Sequence, residues 1–469
     1  MILKYIRTAA VLTCFSSPTL TLAAPLTITH EQQTDLAVTL YTNNLGLIQD
    51  TRQLPALEED QTVVIRDVSN QMQTETLQIR DAGLVKEQTL NNALLNYHAL
   101  LQHYIGKSVT LSRQQPNGEE VRQNVTLLNV DGNTALVENG TQVESVPLYS
   151  SDWRIIFPTR PDNLLLKPSL TFRSQGTPEP AQAKLSYLTQ GLSWQMDYVM
   201  TLNEGNTELV VDGLASLINN TGTPLHNARV NLLAGDVYKT ENPRYRAKEV
   251  MMAAARADEG SAPLPETIND YQLYTLKDTV TLQDQQRTQV PLLHADKVKV
   301  ESLQRYSFYI HAGIDNQTQK VKPESFIRFT NNLHHGLGSP LPSGQVRFFS
   351  PDKKGELHYT GGTHINQTAI GEQVELAMGK AFDVTISRRQ TDYQTAFDGT
   401  VAEYELRIQN SANKSRDVEI SSLFSQPWKL ISSTMQPLEQ SAGSAKWRIN
   451  VPGNSEGLLT MRVRLTKQK

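Results

Sequence analysis

The sequence predicts a mostly β fold: tandem antiparallel β-sandwich-like domains with a small inserted β-barrel and one short helix. Three observations lead there. Apolar and polar residues alternate with a period of two over many short runs, pairs such as Asp131–Gly132 and Asn139–Gly140 punctuate them, and helical periodicity is scarce. A chain of 469 residues has length for about three domains. The expected division is a signal segment at 1–23, an N-terminal β domain at 24–164, a central sandwich at 165–312 and a C-terminal sandwich at 313–469.

The first segment reads as an export signal. Lys4 and Arg7 precede the apolar run Ala9, Ala10, Val11 and Leu12, and Thr21 and Ala23 supply the small residues of a cleavage site after Ala23. The alternative, lipidation of Cys14, fits poorly because Thr13 precedes it and the apolar stretch before it is short. Cys14 is the only cysteine, so cleavage leaves a mature chain without thiols, suited to an oxidising periplasmic or extracellular compartment. No later run approaches the roughly 20 apolar residues of a membrane helix, so no integral membrane segment is expected. The formal charge is −4, and loss of Lys4 and Arg7 makes it two units more negative, which disfavours a general attraction to nucleic acid.

The best helical stretch is QTLNNALLNYHALLQHYIG, residues 88–106, where Leu90, Leu94, Leu101 and Ile105 share a face and Gly106 offers a stop. Residues 107–157 then read as short strands joined at Asn117–Gly118, Asp131–Gly132 and Asn139–Gly140, the expected barrel. In 185–202, LSYLTQGLSWQMDYVMTL, a strand puts Trp194, Met196, Tyr198, Met200 and Leu202 on one face and Gln195, Asp197 and Thr201 on the other. Trp194 and Asp197 therefore point apart, which favours a buried wall over a stacking platform with an adjacent carboxylate.

Between 239 and 270 the alternation fails, and Pro243, Pro263 and Pro265 predict a long mobile loop, which leaves room for a short helix around 249–256. At the C-terminus the alternation is cleanest: Ala402, Tyr404, Leu406 and Ile408; Ala445, Trp447, Ile449 and Val451; Leu459, Met461, Val463 and Leu465. Each such strand has one dry and one wet face, as sandwich sheets require.

The motifs YTNNLGLIQDTRQL, YIGKSVTL, LSYLTQGLSWQMDYVMTL, NNTGTPLHNARVNLLAGDVY, LGSPLPSGQVRFF and MGKAFDVTISRR, in this order, resemble bacterial secreted proteins that carry a domain of unknown function, the mucoidy-inhibitor-like family. The resemblance covers nearly the whole mature chain. It implies a mostly β envelope protein whose molecular activity is unassigned, and it supplies no catalytic residues to carry over.

Residue by residue, the chemistry-bearing groups have simpler readings. Glu403 and Glu405 share a strand face with Arg407, which suits cross-strand pairing with Arg462 or Arg464 better than a glycosidase pair. His334–His335 and His358 with His364 lack metal-site spacing, and the first pair sits in a turn rich in Asn331, Asn332, Gly336 and Gly338. LLAGDV, with Gly235 and Asp236, lacks the glycine spacing and following helix of a phosphate loop. No Gly-x-Ser-x-Gly elbow appears. The sequence thus offers no catalytic, cofactor or metal residue. It points to an exported, non-enzymatic scaffold for a protein or glycan partner in the envelope, with a glycan-acting hydrolase assembled from distant loops as the alternative. Mass measurement of the exported protein should find Ala24 as its first residue, and recovery of Met1 on folded exported chain would overturn this expectation.

Overall fold

In a computed structural model, residues 24–115, 119–235, 266–268 and 271–466 are described. They are mostly strand, arranged in several sheets, with one α-helix. Contacts divide the chain into two compact units, one of residues 48–189 with flanking pieces and the other dominated by 225–469, and the chain enters each more than once. The segments 1–23 and 236–265, which hold the predicted signal and most of the predicted loop, lie outside the described residues. Glu266–Ile268, inside the predicted loop, is a strand paired with Tyr271–Thr275.

In the first unit the helix is shorter than its sequence predicts. Val85–Asn91 is a strand against Ser169–Ser174, so Leu90 pairs with Leu170, and Leu94 bridges Leu165. The helix proper is Tyr97–Tyr104, and Asn96 starts it by accepting a hydrogen bond from the Ala99 amide at 2.9 Å. Gly106, at φ 78°, ends the turn as predicted.

The following strands form an open five-stranded sheet rather than a closed barrel, in the order 142–147, 134–139, 120–131, 108–114, 153–156. The hairpins at Gly132 and Gly140 are present, whereas 116–118 lies outside the described residues. The two end strands do not pair. Leu101 and Tyr104 of the helix pack with Leu111, Leu127 and Val137, so the helix shields apolar surface that a closed barrel would bury within itself. Elsewhere in this unit, Asp50 and Arg52 form a buried ion pair. Arg52 Nε donates to Asp50 Oδ2 at 2.9 Å and Nη1 to the Arg66 carbonyl at 2.7 Å, while Gln33 donates to the other Asp50 oxygen at 2.8 Å.

The second unit contains a five-stranded sheet ordered 286–299, 208–219, 192–202, 344–351, 357–365. Its central strand, Leu192–Leu202, runs antiparallel to Glu208–Asn219 and parallel to Gly344–Pro351. Gly344 is opposite Met196, so close to its backbone that a Cβ could not be accommodated. Trp194 is 1% exposed and its Nε1 donates to the Leu233 carbonyl at 3.0 Å, while the Tyr198 hydroxyl donates to the Pro342 carbonyl at 2.7 Å. Both sit on the face that alternation assigns to the core.

Two further sheets make a sandwich. One is ordered 373–380, 324–330, 301–310, 416–424, 444–451, 439–440, and the other 319–321, 384–396, 399–410, 455–466, 428–433. Their inner faces meet in a core that includes Ile420, Trp447, Tyr404, Leu406, Met461 and Val463. Replacing Trp194 by Ala should cost about 3–5 kcal/mol, the usual scale for emptying a buried aromatic site, with a lower denaturation midpoint in chemical unfolding. A variant unfolding at the wild-type midpoint would show that the indole is not part of the core.

Candidate functional site

The residues singled out from sequence occupy structural positions. Glu403 pairs with Arg462 in register, Nη1 to Oε2 at 3.1 Å, and Glu405 accepts from Arg407 at 2.9 Å. Asp197 is buried on the face away from Trp194 and accepts from Ser216 at 2.7 Å, Arg347 at 3.0 Å and Gln195 at 3.3 Å. Burial pushes its carboxyl up, but these hydrogen bonds outweigh burial and hold it below its ordinary value.

His334 and His335 lie in a single 3₁₀ turn, Leu333–His335, capped by the Asn332 side chain. His358 contacts Asp352 at 3.2 Å and His364 contacts Ser343 at 3.0 Å. Asp352, Glu356 and His358 offer donor atoms within 4.8 Å of one another. One Asp352 oxygen already accepts the Lys354 and Glu356 amides at 2.8 and 3.0 Å, closing the hairpin turn. This accounts for the cluster as turn structure. Gly235, at φ 125°, ends the strand Leu225–Ala234 against the Tyr271 ring, and Asp236 lies outside the described residues.

A concavity of about 610 Å³ opens instead at one edge of the C-terminal sandwich, within the usual range for small-ligand sites. It follows from one crossing of the chain. Gln319–Val321 pairs with Ile386–Arg388 of one sheet; after Lys322 and Pro323, Glu324–Thr330 pairs with Glu301–Arg305 of the other. The second strand therefore covers only the first half of Glu301–Ile310. Residues 306–310 keep their parallel partner, Ile420–Phe424, on one side and have no strand among the described residues on the other. The result is a notch in the sheet edge.

The second sheet supplies the floor. Arg388 continues the inward phase of Val384 and Ile386 and is 7% exposed. Its Nη2 donates to Asp315 Oδ2 at 3.0 Å, its guanidinium lies 4.7 Å from the Phe308 ring centroid, and its buried Nε has no hydrogen-bond partner. Tyr306 stacks on Phe308 with centroids 5.6 Å apart, and Phe308 meets Tyr404 at 6.0 Å. Burial raises the Tyr306 and Tyr404 hydroxyls above their ordinary range, so both stay protonated at neutral pH.

At the mouth, the exposed Tyr309 ring lies nearly parallel to His311 at 5.9 Å, beside exposed Ile314. Gln390 positions this rim. Its Nε2 donates to the Gly313 carbonyl and to Tyr404 Oη, each at 3.1 Å, while its Oε1 accepts the Asp315 amide at 2.8 Å. The arrangement can stack against a ring, hydrogen-bond to polar groups and accept apolar groups. No protein-family model and no curated protein matches the chain.

The sequence reading missed Arg388, Asp315 and Tyr309. One signal was available: in VTISRR, Arg388 occupies the same alternating phase as Val384 and Ile386, and an arginine on a core-facing phase asks for a buried partner.

The outer face of the six-stranded sheet carries a compact charge network. Arg305 Nη2 donates to Glu375 at 2.9 Å and to the buried Glu419 at 2.8 Å, and Arg328 bridges the same two carboxylates. The hydrogen bonds from Arg305, opposed by burial and reinforced by Arg328, hold the Glu375 carboxyl down to about 2. Its stabilising contribution is therefore complete above the unfolded value of about 4.3 and disappears as pH falls through the folded one. Unfolding free energies measured from pH 6 to 2 should fall more steeply in wild type than in Glu375→Gln, and identical slopes would contradict the depressed value. Glu403→Gln, on a solvent-facing pair, should change stability by less than about 1 kcal/mol at pH 7.

Proposed function

We propose that the protein is an exported, non-enzymatic envelope scaffold that recognises a protein or glycan partner at the notch beside residues 306–310. The observation that carries this reading is the notch itself, an aromatic and polar concavity left where the chain crosses between the two sheets of the sandwich. Recognition sites combine apolar walls with a few placed polar groups, and Tyr309, His311, Ile314, Asp315 and Arg388 are such a set.

The hydrolase alternative is less well supported. A glycosidase uses two carboxyl groups across the scissile bond. The notch lining contains one, Asp315, ion-paired with Arg388. Glu403 and Glu405 are likewise committed to arginines.

Export rests on the charged start, apolar middle and small-residue end of residues 1–23. Among the described residues no helix is long and apolar enough to cross a membrane. The similarity in motif order to mucoidy-inhibitor-like proteins supports a place in the bacterial envelope.

The test uses the Tyr309→Ala, Ile314→Ser double variant. Both side chains are exposed, so the melting temperature should stay within the small change expected of surface substitutions. Immobilised wild-type chain is exposed to a detergent-solubilised bacterial envelope fraction and to a glycan panel. The expected result is a retained binder whose affinity drops at least tenfold in the variant. Equal retention by both proteins, or no retained binder from either source, would sink the reading.

A further inference from the structure

We propose that the occupant of the notch is an extended peptide, which adds as a strand to the open edge of residues 306–310. The inference rests on the recognition role argued above and makes its ligand class specific.

The edge is defined by its backbone. In a sheet, alternate residues direct their N–H and C=O groups to opposite neighbours. Residues 301–305 pair with Glu324–Arg328, and Gln304 and Arg305 pair also with Val418 and Glu419 on the other side, but from Tyr306 onward only Ile420–Phe424 remains. Pro323 marks the crossing. Its carbonyl is taken by the Ala381 amide, and as proline it has no N–H to offer. Thus the run from Tyr306 to Ile310 turns alternate backbone groups toward the side of the notch, where no strand among the described residues pairs with them.

The side chains agree. Exposed edges are normally guarded by lysine, proline, a bulge or an inward charge, because they template pairing with other chains. The run Tyr306, Ser307, Phe308, Tyr309, Ile310 contains no charge and no proline, and its register against Ile420–Phe424 is unbroken by a bulge. It is rich in residues that favour strands. Five residues span roughly 17 Å at about 3.3 Å each, a length suited to a short peptide.

An added strand would turn alternate side chains toward the floor. There they meet Tyr306, Phe308, Val321 and Tyr404, together with Arg388, whose guanidinium has donors left after its single ion pair to Asp315. A saccharide could use the Tyr309 ring and the polar rim, but it would leave the row of backbone groups without the regular partner that a peptide supplies. The peptide is therefore the occupant that satisfies both the edge and the floor.

Amide hydrogen exchange on the full mature chain tests the edge directly. In the free protein, alternate amides within 306–310 should exchange at least tenfold faster than those between them, which are bonded to the 420–424 strand. Uniform protection across the five would overturn the open edge. Peptides enriched by panning a random dodecapeptide phage library on the full chain are then synthesised in two forms, unmodified and N-methylated at alternate residues. N-methylation keeps the side chains but removes the strand's donors.

Strand addition predicts that the unmodified peptide slows the fast 306–310 amides at least tenfold. It also predicts that at least one N-methylation pattern weakens binding tenfold or more. Binding at the notch that is indifferent to both patterns would reject strand addition and leave recognition at this site standing. Protection of the notch by a panel oligosaccharide, with no peptide protecting it, would likewise replace the ligand class and keep the site. If neither peptides nor saccharides change exchange at 306–310, both this inference and the notch as a recognition site fail.

Discussion

Two buried polar anchors fix the strand around which the central sheet of the second unit is built. The Trp194 indole and the Tyr198 hydroxyl donate to the Leu233 and Pro342 carbonyls, on segments distant in sequence. Large aromatics bring apolar area, while their single donors would be costly to bury without acceptors. Meeting that demand at two points sets the depth of the strand and its register against Gly344, whose lack of a side chain permits the close approach to Met196. A one-residue slip would turn Trp194 outward and Asp197 inward. On its own face Asp197 has Ser216, Gln195 and Arg347 waiting. The two faces of one strand thus reject the same error for different chemical reasons.

The C-terminal sandwich obeys the same accounting and departs from it at one corner. Its strands present dry faces that close over Trp447, Leu406 and Met461, while their wet faces carry cross-strand ion pairs in register, such as Glu403 with Arg462. The chain changes sheets at Lys322–Pro323, so one strand cannot serve two edges along its whole length. The notch at 306–310 follows from this geometry. Gln390 then ties the rim to the floor through Gly313, Asp315 and Tyr404, giving the opening a defined shape.

What the sequence disclosed follows from how local the governing physics is. Period-two alternation placed Trp194 and Asp197 on opposite faces and identified the strands around Tyr404, Trp447 and Met461, because burial of one face leaves its mark every second residue. It also foresaw the Glu403 pairing. Alternation failed at 88–106, where Leu90 and Leu94 fit a helical stripe, yet the chain pairs Val85–Asn91 as a strand and lets Asn96 restart it as a helix. That choice depends on Ser169–Ser174, about 80 residues away. The open sheet after the helix was misjudged as a barrel for a related reason, since closure depends on whether the end strands meet. The notch was illegible because it consists of a missing neighbour, and neither Tyr306 nor Tyr309 bears a local sign that its strand loses a partner after Arg305.

Arg388 shows what the notch costs the fold. An arginine on the inward phase of a strand loses most of its hydration, and its ion pair with Asp315 recovers only part of the loss, since Nε remains buried without an acceptor. A methionine or leucine there could continue the dry face of Val384 and Ile386 without a desolvated charge. Contact with the Phe308 ring offsets some of the penalty. It does not supply a hydrogen bond to Nε. The sheet core gains little from this residue that an apolar side chain would not give, whereas the notch gains a guanidinium held rigidly beneath an open strand edge. The position of the charge therefore supports the proposed recognition surface, since the packing that surrounds it does not require a guanidinium there.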